Sequence, residues 1–368
     1  MRINKIALNG FRNYEWETAE FAPGTNVISG QNAQGKTNLL EAVYMLSTGR
    51  SFRTRFDREL VGFDFSEAEI LADIRSHERD QTVSIRLRPG LPKKILVNGV
   101  KKTAGELSAQ INAVLFCPDD LNLIKEGAAV RRRLMDNAIS QIRPRYAEIL
   151  SEFNKLYEHK TRILKDWREK PSLLDTLDEF SEGMARASSH LIRYRAAFAA
   201  RLNEAAPPIH REFSGEGEEL AIRYTTVSTV RDPFAPAREI YYDICDHPEK
   251  HRQAELDSGQ CLTGAHKDDL ELDINGRSAR SFASQGQTRT AALSLKLAER
   301  EIFLAETGEY PILLLDDVLS ELDTRRQEFV LNRIGGGQTL ITCCEDDEIS
   351  SRTGGKVIFV EKGKIRAN

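Results

Sequence analysis

Residues Gly30-Gln31-Asn32-Ala33-Gln34-Gly35-Lys36-Thr37 form the pattern G-x-x-x-x-G-K-T, which constrains this chain more than any other stretch. Such a loop wraps phosphate in successive backbone N–H groups, and the helix that follows adds partial positive charge at its N-terminus. The flanks fit. Residues 25–29 are short and β-branched and read as a strand, while residues 38–46 carry apolar side chains at helical spacing. In that setting Gly30 to Asn38 cradle a nucleotide, Lys36 reaches its β- and γ-phosphates, and the Thr37 hydroxyl holds Mg²⁺. The plainer reading, a glycine-rich turn opening an ordinary helix, does not require the full G-x-x-x-x-G-K-T set between strand and helix.

A second segment supplies what such a loop needs. Residues 311–315 are apolar and end in Asp316-Asp317. A strand of this kind is buried in a parallel sheet, with its carboxyl end beside the phosphate loop. Asp316 is then placed to bind Mg²⁺, directly or through water, and Asp317 to act as general base on the attacking water. Upstream, Ser284-Gln285-Gly286-Gln287 precedes a strong helical pattern over 288–297. A hydroxyl and free amides at a helix start suit an anion. One loop already serves the nucleotide of its own chain. Ser284, Gly286 and Gln287, with Ser320-Glu321-Leu322-Asp323 after the acid pair, therefore suggest a site completed by another protomer.

The 368 residues allow one large domain or two, with ample core. No apolar run reaches about 18 residues, so no membrane span is expected. Residues 1–6 alternate like a strand and do not resemble a signal peptide, which makes a cytoplasmic location the expectation. The net charge is only −4, so contact with nucleic acid has to use local patches. Cys117, Cys245, Cys261, Cys343 and Cys344 have no zinc-ribbon spacing. Cys245, His247 and His251, completed by Cys261 or His266, leave a metal site open beside the reading of a surface helix with incidental histidines.

In chain order, residues 2–9 read as a strand and residues 10–14 as a turn. Arg12 in that turn is open between a solvated corner and a phosphate contact. Arg50, Arg53, Arg55 and Arg58, interleaved with hydroxyls and one aromatic, suit nucleic-acid backbone contact or a solvated loop equally. Alternation over 68–76 and 81–88 predicts a hairpin, and Asn98-Gly99 a tight turn after residues 93–97. Residues 111–116 read as a buried strand. From 128 to 206 the apolar spacing becomes helical, glycine is nearly absent and charge is dense, which predicts a hairpin of helices with a third packed on it, closed by Pro207-Pro208. Residues 219–227 and 271–274 read as strands and 235–255 as helical. The domain expectation is a nucleotide-binding head over 1–117 and 209–368, interrupted by a helical lobe over 118–208.

Taken together, the phosphate loop, the Ser-x-Gly-Gln helix, the acid pair and Ser-Glu-Leu-Asp resemble the ABC-type ATPases of the chromosome-maintenance branch. Within it the pattern narrows to the RecF family. The residues that carry this are 10–14, 30–41, 48–53, Phe116 with 118–121, 131–133 and 316–323, so they run from end to end. The resemblance implies an α/β fold, an ABC-type ATPase head of mixed sheets and helices carrying an inserted α-helical lobe. It also implies ATP and Mg²⁺ as cofactors and an ATP-dependent homodimer. It further implies binding to double-stranded and gapped or single-stranded DNA, and cooperation with RecO and RecR in loading recombinase. By match, Lys36 and Thr37 bind ATP and Mg²⁺, Asp316 binds Mg²⁺, Asp317 is the catalytic carboxylate next to it, and Ser284, Gly286 and Gln287 reach the partner's γ-phosphate.

Asp317 stands where many ABC enzymes have Glu, which fits a slow switch better than a motor. The usual switch His is absent after 339–342, where Cys343-Cys344 follow. Gly264-Ala265-His266-Lys267-Asp268-Asp269 lacks the Pro and Arg usual in the family, losing a rigid φ and a guanidinium fork. The rivals are the ATPase subunit of a transporter, which needs a membrane partner, and a nuclease-coupled ATPase, which needs a second metal-carboxylate cluster.

Overall fold

The computed structural model describes residues 1–215, 217–246, 248–344 and 351–367, with the backbone alone for 248–251 and 367. The chain forms two compact units, residues 1–122 with 292–368 and residues 123–291.

The first unit opens with strands β1 (Arg2–Phe11), β2 (Tyr14–Glu20) and β3 (Thr25–Ser29), then helix α1 (Lys36–Thr48). Strands β4 (Ala68–Ser76), β5 (Arg79–Leu87), β6 (Lys94–Val97) and β7 (Val100–Lys102) follow, then the short helix α2 (Ala104–Leu107) and strand β8 (Ala113–Phe116). One antiparallel sheet runs β2-β1-β4-β5-β6-β7. Its expected alternation is present: Ile70, Ala72 and Ile74 of β4 point into the core, with more exposed residues between them. Asn98 and Gly99 both take positive φ (49° and 79°), the geometry a two-residue hairpin turn demands and that Asn-Gly tolerates best.

The second unit holds α3 (Ala128–Ile142), α4 (Pro144–Asp166), α5 (Leu177–Ser214), β9 (Leu220–Thr225), α6 (Ala237–Cys245) and α7 (Pro248–Ser258). Strands β10 (Asp269–Ile274) and β11 (Arg277–Ser278) and helix α8 (Ala279–Phe282) complete it, and β11-β10-β9 form a three-stranded sheet. The chain continues through α9 (Gln285–Thr307).

The helical stretch thus belongs to a unit that also contains a sheet, and Pro207-Pro208 lie inside α5 rather than at its end. Packing explains this. The buried stripe Leu202, Ala206, Ile209 and Phe213 runs straight through the prolines, and α5 packs against β9. That burial outweighs the two amide bonds the prolines cannot make. The stretch over 235–255, read as helical, carries α6 and α7.

Two arginines of the helical stretch, Arg131 and Arg195, are buried, while Arg133, Arg186, Arg193 and Arg201 are exposed. Arg195 is 2 % exposed. Its guanidinium donates to both carboxylate oxygens of Asp136 at 2.9 and 3.0 Å and to Asp268 at 2.7 Å, and Tyr224 and Thr226 complete the Asp268 shell at 2.5 and 2.6 Å. Arg131 forks onto Asp269 at 2.7 and 2.8 Å. A buried charge needs such full pairing, so Asp268 and Asp269 of the 264–269 motif serve the interior of this unit.

The first unit closes with β12 (Ile312–Asp316), α10 (Thr324–Arg333), β13 (Thr339–Cys343), β14 (Lys356–Glu361) and β15 (Lys364–Ala367). Its second sheet runs β15-β14-β3-β13-β12-β8, parallel except for β15. Every residue of β12 and β13 is buried, as strands covered on both faces must be. Among the described residues no helix is long and apolar enough to cross a membrane.

Candidate nucleotide site

The parallel register places the carboxyl ends of β3, β13 and β12 side by side, with Leu315 beside Ile341 and Ile341 beside Val27. Ligands of open α/β sheets bind outside such ends. The 30–37 loop leaves β3 there and turns into α1. Its glycines are required. A Cβ on Gly30 would lie 2.2 Å from the Val360 carbonyl oxygen of β14, and Gly35 has φ +123°. Tyr14 donates its hydroxyl to the Gly35 carbonyl at 2.9 Å, pinning the loop from behind.

Lys36 is nearly buried. Its ammonium donates to the carbonyls of Gly30 and, at 3.0 Å, Gln31, and lies 3.7 Å from Cys344 Sγ. Thr37 donates its hydroxyl to Asp316 Oδ1 at 2.9 Å, and Thr342 of β13 donates to the same oxygen at 3.0 Å. Burial raises the Asp316 carboxyl above the usual carboxylate range; hydrogen bonds from Thr37 and Thr342 oppose this, and the charge of Asp317 adds to it. A buried carboxylate touching a hydroxyl, with a second acid next to it, is a hard oxygen donor set that fits Mg²⁺. Asp317 takes φ +54°, an uncommon conformation for a non-glycine, and its N–H donates to Thr342 Oγ1 at 2.8 Å. That backbone turn separates the two acids at the strand end.

Residues 32–38 with Arg53, Asp317 and Thr342 line a cavity of about 280 Å³. Arg53, read from sequence only as part of a basic surface loop, therefore faces the phosphate cavity. Arg12 is held by Glu41, to which it donates at 2.8 and 2.7 Å, and by the Glu59 carbonyl at 2.9 Å. Sequence reasoning left Thr342, Cys344 and Glu41 without roles. The signal for Thr342 was a hydroxyl at the end of an apolar strand, and for Glu41 a carboxylate one turn beyond Thr37. The hairpin of β14 and β15 was missed as well. Its turn N–H groups, Lys362 and Gly363, donate to the side chain and carbonyl of Gln34 at 2.6 and 3.0 Å and brace the loop.

Ser284, Gly286 and Gln287 lie at the start of α9. Ser284 N–H donates to Gln287 Oε1 at 2.9 Å and Gln287 N–H to Ser284 Oγ at 3.2 Å, a reciprocal cap. Gln287 also donates to Glu218 at 2.8 Å. Ser284 is exposed, and its hydroxyl proton is not consumed by accepting the cap bond. Of the open metal reading, His247 and the side chain of His251 lie outside the described residues. Cys261 Sγ sits 3.6 Å from Thr161 Oγ1 and His266 Nε2 faces the Cys261 carbonyl at 3.0 Å. Among the described residues no cluster of three or more His, Cys, Asp or Glu could hold a metal ion.

A family model described as the RecF/RecN/SMC N terminal domain matches residues 2–365. The DNA replication and repair protein RecF of Acetivibrio thermocellus is 40 % identical over 98 % of each chain. The chain belongs to the RecF family. RecF of Alkaliphilus oremlandii is 38 % identical over 99 % of this chain and all of its own. A solved recombination mediator RecF of the RecFOR pathway, in its ATP form, matches with a TM-score of 0.88 at 34 % identity, over 100 % of this chain and 97 % of its own. The Smc head domain of Pyrococcus furiosus, at 16 % identity and a TM-score of 0.57, shares the fold alone, over 100 % of this chain and 95 % of its own. The expected ATPase-head fold, mixed sheets with helices, is borne out for this RecF-family chain.

Proposed function

We propose that this chain is an ATP-dependent DNA-binding protein of recombinational repair and replication, working in the cytoplasm as a homodimer that ATP closes and slow hydrolysis resets. The contact of Thr37 and Asp316, at the mouth of a loop whose lysine is already folded over it, carries this reading. ATP enters with its triphosphate on the amides of 32–38, where Lys36 and Arg53 offset the phosphate charge. Mg²⁺, held by Thr37 and Asp316, would neutralise charge between the β- and γ-phosphates. Asp317 accepts a proton from the attacking water, and its backbone turn fixes where that carboxylate points. The names and ATP form of the relatives support ATP and DNA as ligands of this chain, and RecO and RecR as its partners in loading recombinase at gaps.

The test is a binding titration on gapped, duplex and single-stranded DNA, with and without ATP, at two salt concentrations. The expected result is ATP-dependent binding that weakens steeply with salt, as phosphate contacts require. Binding indifferent to ATP would remove the switch.

A further inference from the structure

Glu41 is completely buried on α1, one turn beyond Thr37. A buried carboxylate is costly unless fully paired. Arg12 forks onto both of its oxygens, Ser51 donates its hydroxyl to Oε1, and Arg53 Nη1 stands 3.7 Å from Oε2. Ser51 Oγ in turn accepts from the N–H groups of Arg53 and Thr54 at 2.9 and 3.0 Å, so the backbone that carries Arg53 is wound on a hydroxyl anchored to Glu41. From Arg53 the path returns to the phosphate loop. Arg53 donates to Asn38 Oδ1 at 2.7 Å, Asn38 to Asn13 Oδ1 at 2.8 Å, and Asn13 to the Gln34 carbonyl at 2.9 Å.

We infer that Glu41 is a positioning residue for nucleotide binding. Its carboxylate holds Arg53 over the phosphate cavity, through Ser51 on the backbone side and by charge on the guanidinium side. Arg12 closes the other flank and prevents the carboxylate from turning away. Balancing one cation would need only one partner. Here a single anion fixes two guanidiniums and the turn between them, on the same helix that begins with Lys36 and Thr37. Without it, two like charges face each other across the gap and Arg53 is released toward solvent, where 45 % of its side chain already lies.

The inference rests on ATP being the ligand of the cavity, and a double-mutant cycle on ATP affinity, measured by calorimetry with Mg²⁺ on the full chain, tests it. Glu41→Gln keeps the shape and removes the charge. It should weaken ATP binding about tenfold in the natural background, the scale of one charge-assisted hydrogen bond, and less than about twofold in an Arg53→Ala background. A structural role alone weakens both backgrounds by the same factor, and that result overturns the inference. Glu41→Asp, which keeps the charge but retracts it, serves if Glu41→Gln does not fold, and the same two-background comparison decides. If the natural chain binds no ATP, the functional reading fails together with this inference. If it binds ATP and the factors match, this inference alone fails.

Discussion

Thr37 and Asp316 lie 279 positions apart in sequence, yet the hydroxyl of one donates to the carboxylate of the other at 2.9 Å. The contact joins the start of α1 to the end of β12 and forms only if β3, β13 and β12 lie in parallel register. Asp316 is therefore a group the fold has placed, with Thr342 from the intervening strand on the same oxygen. Removing either hydroxyl leaves a buried carboxylate short of a partner, so Thr37→Val should cost stability as well as metal binding, by roughly 1–3 kcal/mol. Denaturant unfolding without metal measures the first, and Mg²⁺-dependent ATP titration the second. Unchanged stability would show that Asp316 does not depend on this bond.

Lys36→Ala should abolish measurable ATP binding. The ammonium makes charge-assisted contacts worth about 1.5–3 kcal/mol each, so two of them amount to roughly two to four decades in affinity. The fold should survive, because the Gly30 and Gln31 carbonyls that Lys36 now contacts can turn to water in the open cavity. Calorimetry beside a melting curve separates the two effects. Natural ATP affinity in this variant would remove the loop from the mechanism.

Asp317→Asn should lower hydrolysis at least tenfold while ATP binding holds. The amide keeps the side-chain shape but cannot accept a proton from water. Asn also tolerates positive φ, so the backbone at +54° need not change. Single-turnover hydrolysis reads the effect. Turnover equal to that of the natural chain would place the base elsewhere.

How much of this was legible beforehand depends on the range of each signal. The loop, its strand and its helix are local, and G-x-x-x-x-G-K-T fixed them together. The apolar strand ending in Asp316-Asp317 was legible because burial in a parallel sheet leaves a continuous apolar run. Arg53 was not, since an arginine between Phe52 and Thr54 looks the same facing solvent or phosphate, and its direction is set by Glu41, Asn38 and Ser51. Pro207-Pro208 misled because a local rule about proline yields to a buried stripe that continues on both sides. The β14–β15 hairpin was passed over, though it braces Gln34 from more than 320 residues away.

The arginines of the 50–58 loop should separate. Arg50→Ala and Arg55→Ala, both exposed, should weaken DNA binding and each lower the salt slope by roughly 1 while sparing ATP affinity. Arg53→Ala should do the reverse, because its side chain lines the phosphate cavity. Fluorescence titrations of DNA at several salt concentrations, with calorimetry for ATP, give the pattern. Equal effects of all three on both ligands would return the loop to a single undivided surface.

Stability should fall between pH 6.5 and pH 4 because of His266. Burial pushes its imidazole down to about 4, the donation to the Cys261 carbonyl opposes this, and the charges of Lys267, Arg132 and Lys160 add to the lowering. The ring packs 4.7 Å from Tyr157, and its Nδ1 is buried without a hydrogen-bond partner, so a proton there has no acceptor. Above about pH 6.5 the ring is neutral in both states and its contribution is complete. Below that, the unfolded chain takes up a proton that the folded one refuses, at a cost reaching at most about 3 kcal/mol near pH 4. His266→Phe keeps the stacking and cannot titrate. Its denaturant midpoint should vary less over this window than that of the natural chain, and equal pH dependence would clear His266.

Ser284 offers the sharpest test of the dimer, because its present bond is a helix cap. Replacement by Ala would remove that cap, at about 0.5–2 kcal/mol, and blur the result. Ser284→Asp avoids this, since Asp caps as well as Ser but presents a carboxylate in place of a donor. If Ser284 meets the γ-phosphate of the partner's ATP, each closed dimer has two such hydroxyl-to-phosphate bonds by symmetry. At about 1.5–3 kcal/mol each, their loss amounts to roughly 3–6 kcal/mol, or two to four decades in the dimer constant, before like-charge repulsion is counted. Ser284→Asp should therefore melt like the natural chain, bind ATP as a monomer, and stay monomeric with ATP at micromolar protein. Sedimentation with ATP, using Asp317→Asn as the form expected to remain dimeric, reads this directly. A Ser284→Asp chain that dimerises on ATP as well as the natural one would leave Ser284 as a helix cap alone and require the ATP-closed dimer to be built from other residues.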